Sequence, residues 1–267
     1  MRPARFLALL AAATALATPA AAHRLWMLPS ATVLSGGDQW VTVDAAVSND
    51  LFYFEHQPLR LDGLVATGPD GEPVKVENQS RGRYRSTFDV HLTKPGTYRF
   101  GVTTDALFGS YKVDGEQKRF RAMNGQAPAI PENATEVRLT QSRGKLETFV
   151  TSGKPSETVL KTTGRGLELV PGTHPNSLVA DEEARFSLVL DGLPAANVEV
   201  EIVPGGNRYR QKLGDMNLKT DAEGRFTVKW PAAGMYWLSA EVTDDKATVP
   251  NAKRRASYTT TLEVLPP

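Results

Sequence analysis

Apolar and polar side chains alternate over short stretches along almost the whole chain beyond residue 22. The clearest alternating stretches are 41–47, 84–92, 98–102, 184–190, 198–203, 235–240 and 259–264. A period of two places every second side chain on the same face of the backbone, which predicts half-buried β-strands. Turns separate these stretches, in keeping with the 22 glycines and 18 prolines of the chain. Because no stretch shows a convincing helical period, the pattern predicts an all-β protein.

The strand signals form two blocks that partly repeat each other. A Gly-Arg-aromatic turn at 82–84 and a Gly-x-Tyr strand start at 96–98 return at 224–226 and 234–236. We predict two Ig-like antiparallel β-sandwich domains in tandem, at 23–122 and 167–267. Residues 123–166 contain weaker strand signals at 136–139 and 146–150, and we interpret them as a connection or a β extension of the first domain.

Residues 1–22 have the pattern of a secretory signal peptide. Arg2 and Arg5 precede a short apolar run, and an A-x-A cleavage site ends at Ala22. We therefore expect export to the periplasm. An apolar run this short falls below the roughly 20 residues of a membrane-spanning helix, and no later run is longer, so we expect a protein that does not span the membrane.

Charge and composition narrow the range of partners and chemistries. After cleavage, 29 basic residues face 30 acidic ones, a net charge of −1, which gives no reason to expect nucleic acid as a partner. The chain has no cysteine, which excludes disulfides, thiolate metal sites and a cysteine nucleophile. Any metal must therefore be held by histidine, carboxylate, methionine or backbone groups.

Cleavage after Ala22 would make His23 the first residue of the mature protein. Its α-amine, its imidazole and the next backbone amide are nitrogen donors that suit nickel, cobalt, copper and zinc. The alternative interpretation is that a histidine follows the cleavage site by chance. However, the chain has only four histidines.

The other histidines are candidates for completing such a site. His56 is the best partner for His23, because Glu55 beside it adds an oxygen donor, although His56 could instead merely end a strand. His91 alternates outward on its predicted strand and is a further candidate ligand. His174 lies before a proline in a predicted turn, where a surface role is the simpler interpretation.

Several segments resemble a known family. They are the His-Arg-Leu-Trp-Met-Leu-Pro run at 23–29, the Leu-Glu-Leu-Val-Pro run at 167–171, and the stretches at 190–200 and 220–226. Together they resemble DUF4198, exported bacterial proteins also labelled as periplasmic components of cobalt or nickel uptake systems. The second half is also similar to Ig-like and carboxypeptidase-regulatory-like modules, which share its Asp-x-x-Gly-x-Phe turn.

The resemblance implies a periplasmic binding protein for nickel or cobalt, with copper as a further cargo. Its partner would be a membrane transporter or an outer-membrane receptor for metal uptake, and no catalysis is implied. One alternative is a metal-free Ig-like module that binds carbohydrate or protein. A second is a copper-dependent monooxygenase, since such enzymes also begin with histidine on a β-sandwich. The usual hydrolase, zincin and phosphate-loop signatures are missing from the sequence.

Overall fold

The computed structural model describes residues 23–123 and 129–267. The predicted signal peptide at 1–22 and part of the predicted connection, at 124–128, lie outside the described residues. In these two ranges no helix is long and apolar enough to cross a membrane.

The first half of the chain contributes eleven strands. In chain order they are β1 (Arg24–Pro29), β2 (Val33–Leu34), β3 (Gln39–Ser48), β4 (Gln57–Pro58), β5 (Leu64–Thr67), β6 (Pro73–Val74), β7 (Val76–Arg81), β8 (Ser86–Leu92), β9 (Gly96–Val113), β10 (Glu116–Met123) and β11 (Thr135–Ser152).

The second half contributes nine more. They are β12 (Leu167–Pro171), β13 (Leu178–Val179), β14 (Glu183–Leu190), β15 (Leu193–Pro194), β16 (Glu199–Pro204), β17 (Met216–Lys219), β18 (Arg225–Lys229), β19 (Gly234–Asp244) and β20 (Ala252–Leu265). Two short 3-10 turns, Thr158–Leu160 and Asn207–Tyr209, interrupt the strands.

The strands form two sandwiches that share one long sheet. A first sheet, in the order β1-β3-β8-β7 with β4 on β3, covers one half of the long sheet. The long sheet runs β17-β16-β19-β20-β11-β9-β5-β6, and a third sheet of β12, β14, β15 and β18 covers its other half. The predicted class, all-β with two sandwiches in tandem, is confirmed.

The alternation in the sequence has its expected effect on packing. Along β8 the side chains are alternately buried and half-buried, so that Phe88, Val90 and Leu92 face the first core. Phe100 of β9 meets Phe88 edge to face at a ring-centroid distance of 6.0 Å. Each fully buried side chain of this size stabilises the fold by about 1.5–3 kcal/mol. These residues therefore fix which face of β8 is inside.

Strand β11 joins the two sandwiches, and this differs from the expectation of purely antiparallel sheets. It pairs antiparallel with β9 and parallel with β20, from Leu139 opposite Ala252 to Thr148 opposite Thr261. The two short strands predicted at 136–139 and 146–150 are parts of this single strand. A parallel pair needs a long crossover, and the rest of the second sandwich supplies it.

A third buried cluster lies where the sandwiches meet. It consists of Trp26, Ala46, Leu51, Val203 and Trp237, which come from both halves of the chain. The indole of Trp237 donates to the carbonyl oxygen of residue 25 at 2.9 Å. The start of β1 is therefore held against the second sandwich.

Candidate functional site

His23 and His56 lie side by side at one end of the first sheet. His23 directly precedes β1 and His56 directly precedes β4, and both strands pair with the last residues of β3. The two imidazole rings stack with their centroids 3.8 Å apart and their planes 8° apart. The structure thus brings together two residues that are 33 positions apart in the sequence.

The stacked arrangement is not itself a metal-coordinating geometry. Nitrogen lone pairs lie in the plane of an imidazole ring, so two parallel facing rings cannot direct them at one point. Both His23 and His56 are exposed to solvent, and a rotation about the side-chain bonds of either ring would redirect its nitrogen. Such rotations of exposed side chains take place within picoseconds to nanoseconds.

The loop that carries His56 is braced by Glu55. One carboxylate oxygen of Glu55 accepts hydrogen bonds from the backbone N–H groups of Asn49 and Asp50, at 2.9 and 2.8 Å. At the start of the loop the Trp26 indole donates to the Ser48 hydroxyl at 2.8 Å. Glu55 therefore holds the loop in shape, and its role as a metal ligand stays a prediction.

The same loop is fixed to the second sandwich. The side-chain oxygen of Asn207 accepts the N–H of buried Leu51 at 2.9 Å, and its amide donates to Asp50 at 3.3 Å. Phe52, which adopts a left-handed backbone with φ of 63°, packs edge to face on Trp26. The position of His56 therefore depends on contacts between the two halves of the chain.

His91 lies far from the stacked pair. It stands opposite Trp40, near the start of β3, and its ring stacks on that indole at 4.4 Å. Its Nε2 contacts Asp38 at 2.5 Å. The eight residue steps from Trp40 to Ser48, at the other end of β3, span roughly 26 Å. The structure therefore does not bring His91 to His23.

His174 is held at the junction between the sandwiches and not on an open turn. Its Nδ1 accepts the N–H of Asn176 at 3.1 Å, which leaves Nε2 to donate to the Thr97 hydroxyl at 3.0 Å. Burial lowers the pKa of His174, only partly offset by a backbone contact to Ser156. A neutral ring with both nitrogens engaged is a structural residue.

An open groove of about 740 Å³ has His23 in its lining and was not predicted from the sequence. Its floor is the face of the long sheet where β9, β11 and β20 run side by side. Small side chains keep that floor low, since Thr104, Gly144 and Ser257 stand in register across the three strands. The charged residues that line it are Arg60, Asp62, Arg81, Asp105, Arg121, Lys145 and Arg255.

The protein supplies few ligands of its own beside the stacked pair. Among residues 23–123 and 129–267, no group of three or more histidine, aspartate or glutamate side chains is arranged to hold a metal ion. The pair therefore offers two imidazoles, to which the free amine of His23 would be added after cleavage at Ala22.

Comparisons with known proteins give a family but no activity. The family model described as "Domain of unknown function (DUF4198)" matches residues 20–244. No curated protein matches the chain.

Similar solved structures share little sequence with it. The D0-D1 domain of intimin is 12% identical, covering 90% of this chain and 97% of that one, with a TM-score of 0.23. Trypsin-activated alpha-2-macroglobulin from Escherichia coli is 13% identical, with a TM-score of 0.22, covering 91% of this chain but only 16% of that one. The FN1-FN3 domains of chicken CNTN1 are 6% identical, covering 90% and 98%, with a TM-score of 0.23. Similarities this weak say nothing about function.

Proposed function

This chain belongs to the DUF4198 family, a family of unknown function, and we propose that it captures a divalent transition metal ion at His23 and His56. Nickel and cobalt are the first candidates for the cargo, and copper is the next. The observation that carries the proposal is the 3.8 Å contact between the two imidazole rings. Imidazole nitrogen is a good ligand for all three ions.

Export would complete the ligand set. Cleavage after Ala22 frees the α-amine of His23, whose unperturbed pKa of roughly 7.7–8.0 leaves a usable neutral fraction near pH 7. The amine and imidazole of one residue can chelate together, and the imidazole of His56 adds a third nitrogen. Before cleavage the first of these donors is an amide, so the site would form only outside the cytoplasm.

An exposed, three-donor site suits a metal that is passed on. Both rings are open to solvent, and a cargo ion needs a path on and off that a closed structural site lacks. We propose that the protein works in the periplasm and delivers the ion to a membrane transporter or an outer-membrane receptor. Capture requires no reaction, so we propose a binding protein and not an enzyme.

Calorimetry on two preparations tests the proposal. One begins at His23 after authentic processing and the other has one extra alanine in front of it, and each is titrated with Ni²⁺, Co²⁺, Cu²⁺ and Zn²⁺. We expect tight binding that weakens at least about tenfold with the extra alanine, since the amine is then lost from the chelate. His56→Ala should weaken binding in the authentic form by a similar factor.

The outcome also separates the alternatives. Equal or absent metal binding in both preparations would remove the role of His23 and leave a metal-free Ig-like interaction module. Reductant-driven oxygen consumption by the copper-loaded protein would instead support a monooxygenase, and its absence would support simple capture.

A further inference from the structure

The groove beside His23 has more positive than negative charge. Five cationic residues line it against two carboxylates, Asp62 and Asp105, and two of the five are paired with carboxylates outside the lining, Lys145 with Glu168 and Arg255 with Glu241. Arg60 is paired with Asp62 at 2.8 Å, while Asp105 is neutralised from outside the lining by Arg143 at 2.7 Å. The acidic residues of the groove are therefore already engaged.

Two arginines are left over. In the described part of the chain, neither Arg81 nor Arg121 takes part in an ion pair. Both are exposed, and the guanidinium carbon of Arg121 lies over the Phe108 ring, 5.3 Å from the ring centroid. A guanidinium held on an aromatic ring keeps its N–H groups free, and these match a carboxylate in pairs.

Within the described residues, no carboxylate joins the stacked histidines in a group that could hold a metal ion. Two imidazoles and one amine supply three neutral nitrogens, and the nearest predicted oxygen donor, Glu55, is bonded to backbone N–H groups. Divalent transition metals bind at least four ligands in ordinary protein sites. The remaining ligands must then come from water or from a molecule that binds with the metal.

We propose that the groove binds a small polycarboxylate that chelates the captured metal, so that the cargo is a metal–carboxylate complex. This rests on the proposed metal site. The carboxylates that do not ligate the metal would lie over the small-residue floor of the groove, which Arg81 and Arg121 also line. The groove volume of about 740 Å³ is in the range of ligand pockets, roughly 300–1,000 Å³.

Equilibrium dialysis with radiolabelled citrate as the probe tests this proposal. The authentic protein, beginning at His23, is dialysed against labelled citrate with and without an equimolar amount of Ni²⁺. We expect retention of about one citrate per protein when Ni²⁺ is present, and at least about tenfold weaker retention without it. Raised salt should weaken retention, because the arginines are exposed to solvent.

Arginine variants identify the groove as the binding site. The double variant Arg81→Gln/Arg121→Gln should retain citrate at least about tenfold more weakly in the presence of Ni²⁺. Arg185→Gln is the matched control, since Arg185 is an exposed arginine on β14 of the second sandwich, and its retention should equal that of the wild type. Circular dichroism and thermal melts establish that all variants are folded.

The proposal and the metal site fail in different ways. No citrate retained by a protein that binds bare Ni²⁺ would overturn the groove proposal alone. Full retention by the double arginine variant would also overturn it. Absence of binding of both bare Ni²⁺ and Ni²⁺–citrate would overturn the metal site itself, and with it the proposal that depends on it.

Discussion

Replacing Asn207 by alanine should loosen the loop that carries His56 without touching either histidine. The substitution removes the acceptor for the Leu51 N–H and the donor to Asp50. Leu51 is 1% exposed, so its N–H would be left buried without a partner, which costs about 1–3 kcal/mol. For a chain of this size each kcal/mol lowers the melting temperature by about 2–4 °C.

The same change should weaken metal binding. Part of the free energy of the lost hydrogen bonds holds His56 beside His23. Since 1.4 kcal/mol corresponds to a tenfold change in affinity, we expect the Ni²⁺ affinity to fall by up to about tenfold. The assays are thermal unfolding without metal and calorimetry with Ni²⁺, both on the authentic form. Asn217→Ala is the matched control, because its side chain is exposed and donates to the carboxylate of the nearby, exposed Asp215.

Two results would refute this reasoning. Unfolding that is unchanged from the wild type would mean that the Asn207 hydrogen bonds do not stabilise the loop. A lowered melting temperature with unchanged Ni²⁺ affinity would mean that the loop is held there but does not position His56 for the metal.

Three further predictions concern other parts of the chain. Gly224→Ala should destabilise the second sandwich by well over 2 kcal/mol, because the φ of Gly224 is +76° and the new Cβ would lie 2.4 Å from a carbonyl oxygen of β14. Gly115→Ala, at a φ of +80° in open space, should cost about 1 kcal/mol. Urea unfolding measures both losses of stability. Burial raises the pKa of Glu168, but hydrogen bonds, chiefly from Lys145, hold the pKa below its ordinary value of 4.5. The resulting stabilisation is fully present above that value and is lost as the pH falls through the lower folded pKa. Glu168→Gln should abolish this acid dependence in melts between pH 3 and 7 and cost about 3–5 kcal/mol, since the buried ammonium of Lys145 would lose its closest carboxylate and keep the Glu147 carboxylate at 3.9 Å. His91→Ala should leave Ni²⁺ affinity in calorimetry within twofold of the wild type, and a larger loss would mean that His91 contributes to the site after all.

The sequence was a good guide to strands and a poor one to their partners. Alternation at 84–92 predicted the inner face of β8 correctly, because burial on one side of a strand leaves a period of two in the residues themselves. The alternation contains no information about which other strand pairs with β8. The parallel pairing of β11 with β20 joins residues more than 100 positions apart, and the groove on that sheet was therefore not foreseen.

The candidate site shows the same division. The sequence identified His23 and His56 as candidate metal ligands from their side-chain chemistry, since an imidazole is a potential ligand wherever it occurs. Their contact arises only because β1 and β4 both pair with the end of β3. By the same pairing His91 lies at the opposite end of that strand, and Glu55 is used to brace a loop.

The sequence by itself determined that this protein is all-β, that its strands fall into two blocks and that its ligand chemistry is nitrogen and oxygen without sulfur. These properties are local, because they depend on residue type and on spacing over fewer than ten positions. The tertiary structure alone decided that the two sandwiches share a sheet, that two histidines meet and that unpaired arginines line a groove beside them. Such properties depend on distances between residues far apart in the chain, and the burial of the whole core sets those distances.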